Sequence, residues 1–442
     1  MRRSKLPRLA LAAALLSGAF APAGAHAAND ALRAEIERRS GELAGKVTEW
    51  RHDIHQHPEL SFQETRTAAK VAAHLRALGL EVKTNVGGNG VVGILRGGLP
   101  GPVVALRADM DALPMTELVD LPFKSTVKAI YNGAEVGVMH ACGHDMHTAM
   151  LMGAAELLTG MKAKLPGTVK FIFQPAEEGP PIGGAGPMIA EGVLENPKVD
   201  AIFGLHVGPE LLGSVGYHGG AAQASTDNFK IIVRGKQTHG AMPWTGIDPI
   251  VVSAQIVLGL QSIVSRQINI SAAPGIVTVG AIHGGLRENI IPDSVEMIGT
   301  VRALDPQMRL DIHQRLRRTV ESIAMGAGAT ATVDLVMGYP VLVNDVGLTE
   351  RLVPTLRYVA GAEMVKQSAP ILPSEDFSRY LEKVPGSFFG LGAAPRGRDL
   401  SKVSSGHSPL FEADDAALPI GMRLMATVAL DFLSGTMNKP AK

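Results

Sequence analysis

Three short tracts of the chain are apolar almost without interruption, and each stops at residues that carry charge or bind metals. They are VVALRADMD (Val103–Asp111), TVKFIFQPAEEG (Thr168–Gly179) and DAIFGLHVGP (Asp200–Pro209). A strand with one face in water alternates, whereas a strand covered on both faces reads as a continuous apolar run. The tracts therefore predict strands of a parallel sheet sandwiched by helices. Helical stretches accompany them: Ala31–Leu60, broken at Pro58; about Glu64–Leu78, closed by Gly79; and His144–Thr159. This alternation predicts an α/β fold.

From about Ala224 the pattern changes. Asn228–Lys236 reads as a strand, Asp248–Arg266 as a helix, Gly275–Gly285 and Ser294–Leu304 as two strands, Pro306–Met325 as a helix and Thr330–Pro340 as a strand. The order β-α-β-β-α-β is the split unit of a ferredoxin-like sandwich. It predicts a second domain, 224–337, inserted between 28–223 and 338–442.

Composition narrows the classes. Lys+Arg and Asp+Glu balance at 42 each, which gives no electrostatic ground for a nucleic acid or an anionic membrane as partner. The first residues have a basic start, an apolar run from about Leu9 to Phe20 and the small-residue end AHA. That is the layout of a secretory signal peptide over 1–27, with cleavage near Ala27. The expectation is an exported protein, periplasmic or secreted, with no stable membrane insertion after cleavage; an uncleaved anchor is the alternative. The charge-poor stretch Pro249–Ile263 carries Ser253, Gln255, Gln261 and Ser262 and reads as a packed helix.

An exported chain with one cysteine has no internal disulfide, so its thiol is buried, reactive or metal-bound. Cys142 lies in MHACGHDMH (Met139–His147), among three histidines and an aspartate, at the entry to a predicted helix. In open α/β sheets, ligands bind beyond the carboxyl ends of the strands. There the three tracts deliver Asp109 and Asp111, Glu177 and Glu178, and His206. Each alone has a bland reading: a strand cap, a solvated turn, a core histidine. Together with Cys142, His144 and His407 in SSGHSPLF they suggest a metal site with thiolate, imidazole and carboxylate donors. A thiolate can bridge two ions, the role expected of Cys142. Glu177 and Glu178 are adjacent, and on an extended segment neighbours point opposite ways. One can bind metal while the other faces the substrate; proton transfer needs a Glu not fully committed to metal, and that role is assigned to Glu177, with Glu178 as ligand.

The segments RHDIHQHPELSFQE, RADMDALPM, HACGHDMH, PAEEGPPIGGAGPMI, GLHVGP, GLRENIIPD, GTVRALD, SEDFS and HSPLFE carry a resemblance covering nearly the whole mature chain. The sequence resembles the amidohydrolase branch of the aminoacylase/carboxypeptidase metallopeptidase superfamily, which includes hippurate hydrolases, N-acyl-amino-acid amidohydrolases and auxin-conjugate hydrolases. The resemblance implies a zinc-peptidase-like catalytic domain, with helices on both faces of a mixed, largely parallel sheet, plus a ferredoxin-like lid that carries a homodimer contact. It implies two divalent metal ions per subunit, manganese or zinc, with cobalt or nickel also compatible. Cys142, His144, Glu178, His206 and His407 match the ligands, Glu177 the general base and Asp111 the aspartate that orients a ligand; Asp109, standing where relatives have a histidine, stays unassigned. His239 matches a lid histidine that helps hold substrate or the developing oxyanion, in its own or a partner's site; Asn289 and Arg302 are further candidates for binding a substrate carboxylate or carbonyl, with a strand-end surface residue the alternative for Arg302. His55, His57, His140 and His147 are read as structural or supporting. Trp244 and Gly208 depart from the family pattern and bear on the substrate pocket. The implied activity is hydrolysis of the amide bond of an N-acyl or aminoacyl amino acid. A dipeptidase or carboxypeptidase using the same centre, and a non-catalytic periplasmic binding protein, are the alternatives.

Overall fold

The computed structural model describes residues 23–438. The leader read at 1–27 lies outside the described residues, apart from the backbone of 23–27, which opens the first helix, Ala23–Gln56. That helix stops two residues before Pro58, as the restriction on the residue preceding a proline requires. The next helix, Thr65–Ala77, closes at Gly79 with φ +75°, a left-handed position that glycine fills without a steric penalty.

An eight-stranded sheet forms the larger layer. Its centre is four parallel strands, in the order Pro166–Gln174, Leu99–Asp109, Ala201–Gly208 and Gly386–Gly392. Gly90–Arg96 runs antiparallel beside Pro166–Gln174 and pairs with Glu81–Val86. At the other side Val215–Tyr217 runs antiparallel to Gly386–Gly392 and parallel to Val365–Gln367. The sheet is thus mixed and largely parallel. Alternate residues of its strands enter two cores. Val104, Leu106, Phe171, Phe173 and Phe203 pack with the helices Ala23–Gln56, His144–Thr159, Val346–Ala360 and Ala417–Leu433. Ala105, Ile172 and Ile202 pack on the other face with Met188, Phe377 and Tyr380. His144–Thr159 is buried at every position but Glu156 and Thr159: beyond its polar first turn the helix is apolar on nearly every face.

The smaller sheet spans Asp227–Met337, with strand order Gly275–Gly284, Ser294–Ala303, Asp227–Arg234 and Thr330–Met337, every pair antiparallel. The helices Pro249–Ser262 and Pro306–Gly326 cover one face and share a separate apolar core with it. Both start alike: Asp248 and Asp305 cap the backbone N–H groups of the first turn, and a proline follows at the first helical position. The connectivity and strand order are those of a ferredoxin-like sandwich. In the apolar helix Pro249–Ser262, Val252, Ser253, Ile256 and Leu260 are buried, while Ile250, Val251 and Leu258 are exposed.

Candidate active site

Three connecting segments meet His206, near the end of strand Ala201–Gly208, beyond the carboxyl ends of the central strands. The first is the turn into helix His144–Thr159. Gly143 lies between Cys142 and His144 with φ +84°, and a Cβ there would fall 2.3 Å from Val207 Cγ2, so only glycine fits this bend. It places the thiol and the imidazole of its two neighbours on one side. The second segment follows strand Pro166–Gln174, which stops at Pro175. Ala176 is left-handed (φ +55°), and Glu177 and Glu178 sit in a turn. The expected extended pair, with side chains pointing opposite ways, is therefore corrected: both residues sit in a turn, with an oxygen of each within 4.8 Å of the other and of a His144 nitrogen, because Pro175 has no N–H to continue the ladder and Ala176 reverses the chain. The third segment holds His407, also left-handed (φ +62°), whose N–H donates to the Ala141 carbonyl at 2.9 Å.

The five expected ligands converge. Donor atoms of Cys142, His144 and His206 lie within 4.8 Å of one another, and so do those of Cys142, Glu178 and His407. Cys142 belongs to both groups. Its Sγ is 3.4 Å from His206 Nε2, and His407 Nε2 is 2.8 Å from a Glu178 carboxylate oxygen. His206 Nδ1 donates to the Val207 carbonyl at 2.6 Å, which leaves Nε2 as the donor to a metal. His144 Nδ1 donates to Asp111 at 3.2 Å, and its Nε2 is buried with no hydrogen-bond partner. Ligands around one ion at about 2.0–2.3 Å sit up to about 4.5 Å apart. The spacing, the S/N/O donor set and the orphaned His144 nitrogen all fit divalent metal ions.

The charges are those of a site built for cations. Burial pushes the Cys142 thiol up, yet the charge of His206 and the nearby imidazoles of His144 and His407 carry it well below its ordinary value. Burial and the neighbouring thiolate raise Glu178 to about 7. Glu177 is held well above the usual carboxylate range by burial and by the charges of Glu375, Glu178 and Asp376.

Asp111 gathers hydrogen bonds from three segments of the site. Besides His144 it accepts the backbone N–H of Glu177 at 3.1 Å, that of Glu178 at 2.9 Å and the Ser61 hydroxyl at 2.6 Å. The Tyr339 hydroxyl donates to the Glu177 carbonyl at 2.6 Å, so both backbone groups of Glu177 are tied down. Asp109 accepts from His147 Nδ1 at 2.6 Å, and His147 Nε2 accepts the Val207 N–H at 2.8 Å. Both ring nitrogens of His147 are thereby used in support.

Sequence reading missed the network behind Glu177. Arg107, fully buried, holds Asp109 at 2.5 Å, Glu375 and Asp376 each at 3.0 Å, and Gln174 at 3.0 Å. Glu375 and Asp376 lie within 4.8 Å of a Glu177 oxygen. The available signals were an arginine inside an apolar run and the acid pair of SEDFS. His239 and Asn289 stand elsewhere, on the exposed ribbon where Thr238–His239 pairs with Ile290–Ile291. Arg302 is half-buried on the strand Ser294–Ala303, with Nη1 unpartnered. Among the described residues, no hydrogen bond or ion pair joins these three to the donor cluster.

Comparison with known proteins supplies the context. Residues 105–431 match the peptidase family M20/M25/M40. Thermostable carboxypeptidase 1 of Saccharolobus solfataricus is 43% identical over 394 residues, 88% of this chain and 96% of that protein. N-acetylcysteine deacetylase of Bacillus subtilis is 38% identical over 395 residues, covering 88% of this chain and 97% of the relative. A crystal structure from Bacillus subtilis, described as a dinuclear metal-binding peptidase of the M20 family, superposes with a TM-score of 0.75 at 35% identity, over 89% of this chain and 99% of its own. With the family match spanning residues 105–431, well over half of its length, the chain belongs to the peptidase family M20/M25/M40.

Proposed function

We propose that the protein hydrolyses the amide bond of N-acyl amino acids, releasing an amino acid and a carboxylic acid, with Glu177 as general base. The observation that carries this reading is Cys142 shared between two donor groups, with a buried carboxylate beside them that is not among the five ligands. Cys142, His144, Glu178, His206 and His407 would hold two divalent ions, which would supply polarisation of the amide carbonyl and a lowered pKa for water. Glu177 takes the proton of the attacking water and delivers it to the leaving nitrogen. Asp111 and Tyr339 fix the backbone that carries it. Arg302, with its guanidinium edge unpartnered, suits the substrate's free carboxylate through paired hydrogen bonds. His239 and Asn289 of the lid are further candidates for holding the substrate, assigned by the family resemblance. The name of the Saccharolobus relative favours a second reading, peptide-bond cleavage from the carboxyl end at the same centre.

Manganese or zinc is the expected metal, since the mixed donor set accepts either. The domains follow as 28–223 and 338–442 for the catalytic part and 224–337 for the lid. Export after removal of 1–27 fits the basic-apolar-small leader. A homodimer through the lid fits two features: Gly275–Gly284 is an edge strand carrying an exposed Ile282, and the lid helix exposes Leu258 and Val251. The test is metal analysis of the chain from Ala28, with hydrolysis of N-acetyl, N-benzoyl and N-indoleacetyl amino acids measured beside dipeptides, with and without added manganese or zinc. Metal-dependent release from acyl substrates in preference to dipeptides is expected. Turnover of dipeptides alone establishes the second reading, and a monomeric mass by light scattering removes the dimer.

A further inference from the structure

We propose that Glu64 is a positioning residue for Glu177, its carboxylate clamping the two left-handed turns at Phe62 and Ala176. The proposal rests on Glu177 being the base. Glu64 is fully buried. One of its oxygens accepts the Phe62 N–H at 2.9 Å and the Ala176 N–H at 2.8 Å; the other accepts from Asn89 Nδ2 at 3.1 Å. No ion pair reaches it among the described residues. A buried carboxylate without a cation is costly and persists where its hydrogen bonds have work to do.

The two turns it joins are the unusual ones. Phe62 has φ +64° and Ala176 φ +55°, a region that side chains with a Cβ disfavour and that a bulky aromatic occupies only when its surroundings enforce it. Such strain concentrates at functional sites and is held there by its partners. Ala176 is the residue immediately before Glu177. Without the clamp its backbone relaxes towards ordinary φ, and the direction in which Glu177 leaves the turn changes. The Phe62 turn presses on the same loop: a methyl group on Gly179 would come within 3.1 Å of the Phe62 ring. Asp111 and Tyr339 hold Glu177 itself, while Glu64 holds the bend that aims it.

Hydrogen bonding to an acceptor, rather than charge, is the essential property. Glutamine keeps the accepting oxygen and the length, and its amide can pair with a reoriented Asn89. Leucine removes the acceptor, and aspartate is one methylene too short to serve both turns. Glu64→Leu and Glu64→Asp should lower kcat by about 10- to 100-fold, with KM changed less than about threefold, because a misaimed base loses chemistry rather than binding. Glu64→Gln should return kcat to within about threefold of wild type. Metal content should stay at the wild-type level in all three. Amide hydrogen exchange on the metal-free proteins gives a second readout: peptides covering 60–64 and 174–179 should exchange faster in the leucine and aspartate variants and as wild type in the glutamine variant. If Glu64→Leu does not fold, the aspartate and glutamine pair decides. A glutamine variant as impaired as the aspartate one overturns the clamp, as do variants with unchanged exchange and kcat. Wild-type protein that hydrolyses no amide removes the assignment of Glu177, and exchange then still reports whether Glu64 holds the loop.

Discussion

Arg107→Met should cost the catalytic domain about 3–5 kcal/mol, the range for breaking a buried ion pair by removing one partner. The side chain is wholly buried, and so, to within 4% exposure, are the carboxylates of Asp109, Glu375 and Asp376 that it joins. Methionine fills most of the volume but leaves these acids, and the Gln174 side-chain oxygen, without their donor. In a domain of this size each kcal/mol moves Tm by about 2–4 °C, so the loss is on the order of 10 °C. Its pH dependence identifies the cause. Burial already raises Glu375 to about 7, with the Arg107 charge partly offsetting it, and burial likewise raises Asp376. Removing the arginine raises both further above the unfolded values near 4. Between those limits the folded variant binds more protons than the unfolded chain, so its stability rises as pH falls. Thermal unfolding at pH 8, 7 and 5.5 should show the deficit against wild type largest at pH 8 and shrinking towards pH 5.5. Arg107→Lys, which keeps the charge but not the fork, should fall between the two. A Tm within about 2 °C of wild type at pH 8, or a deficit that grows on acidification, would refute the view that Arg107 neutralises these acids.

Glu177→Gln should keep its metal and lose at least about 100-fold in kcat, measured at saturating substrate beside metal analysis; substantial residual turnover removes Glu177 as the base. Cys142→Ala should lower the bound metal from about two ions per chain to about one or fewer, and unchanged stoichiometry rules out the bridge. Asp111→Ala should weaken metal binding about 10- to 100-fold, as expected when a partner of a ligating histidine is lost, and should also lower kcat, because the N–H groups of Glu177 and Glu178 lose their acceptor; competition with a chelator reads the first effect. In the smaller sheet, burial pushes the Asp227 carboxyl up, but hydrogen bonds from Arg309 and His313 hold it below its ordinary value. Its folded pKa is thus below its unfolded one, so its stabilisation is present above about pH 4 and lost as pH falls through the depressed value. Asp227→Asn should therefore lower Tm at pH 7 and matter less near pH 3, and a pH-independent deficit would point to packing instead.

What the sequence shows of this site and what it hides have separate physical origins. The strands were legible because burial on both faces removes polar residues from a run, and the ligands were legible because they interrupt such runs where the strands end. Helix His144–Thr159 begins and ends where its pattern places it. The turn at Glu177 was misread as extended, because left-handed Ala176 leaves no mark in composition: alanine is an ordinary residue, and the force that bends it comes from Glu64, 112 positions away. Arg107 was hidden for the same reason. Its neighbours in the chain are apolar, and its acids Glu375 and Asp376 arrive from another segment, 268 and 269 residues on. Asp109 is unassigned by the sequence, because it stands where relatives have a histidine, and its partner His147 lies 38 residues on, brought to it only by the fold. Residues that touch the ions are constrained by chemistry, which residue type reveals; residues that aim them are constrained by geometry, which only the folded chain supplies. That division is why the clamp at Glu64 and the fork at Arg107 are the positions where mutation tests the structure rather than the family resemblance.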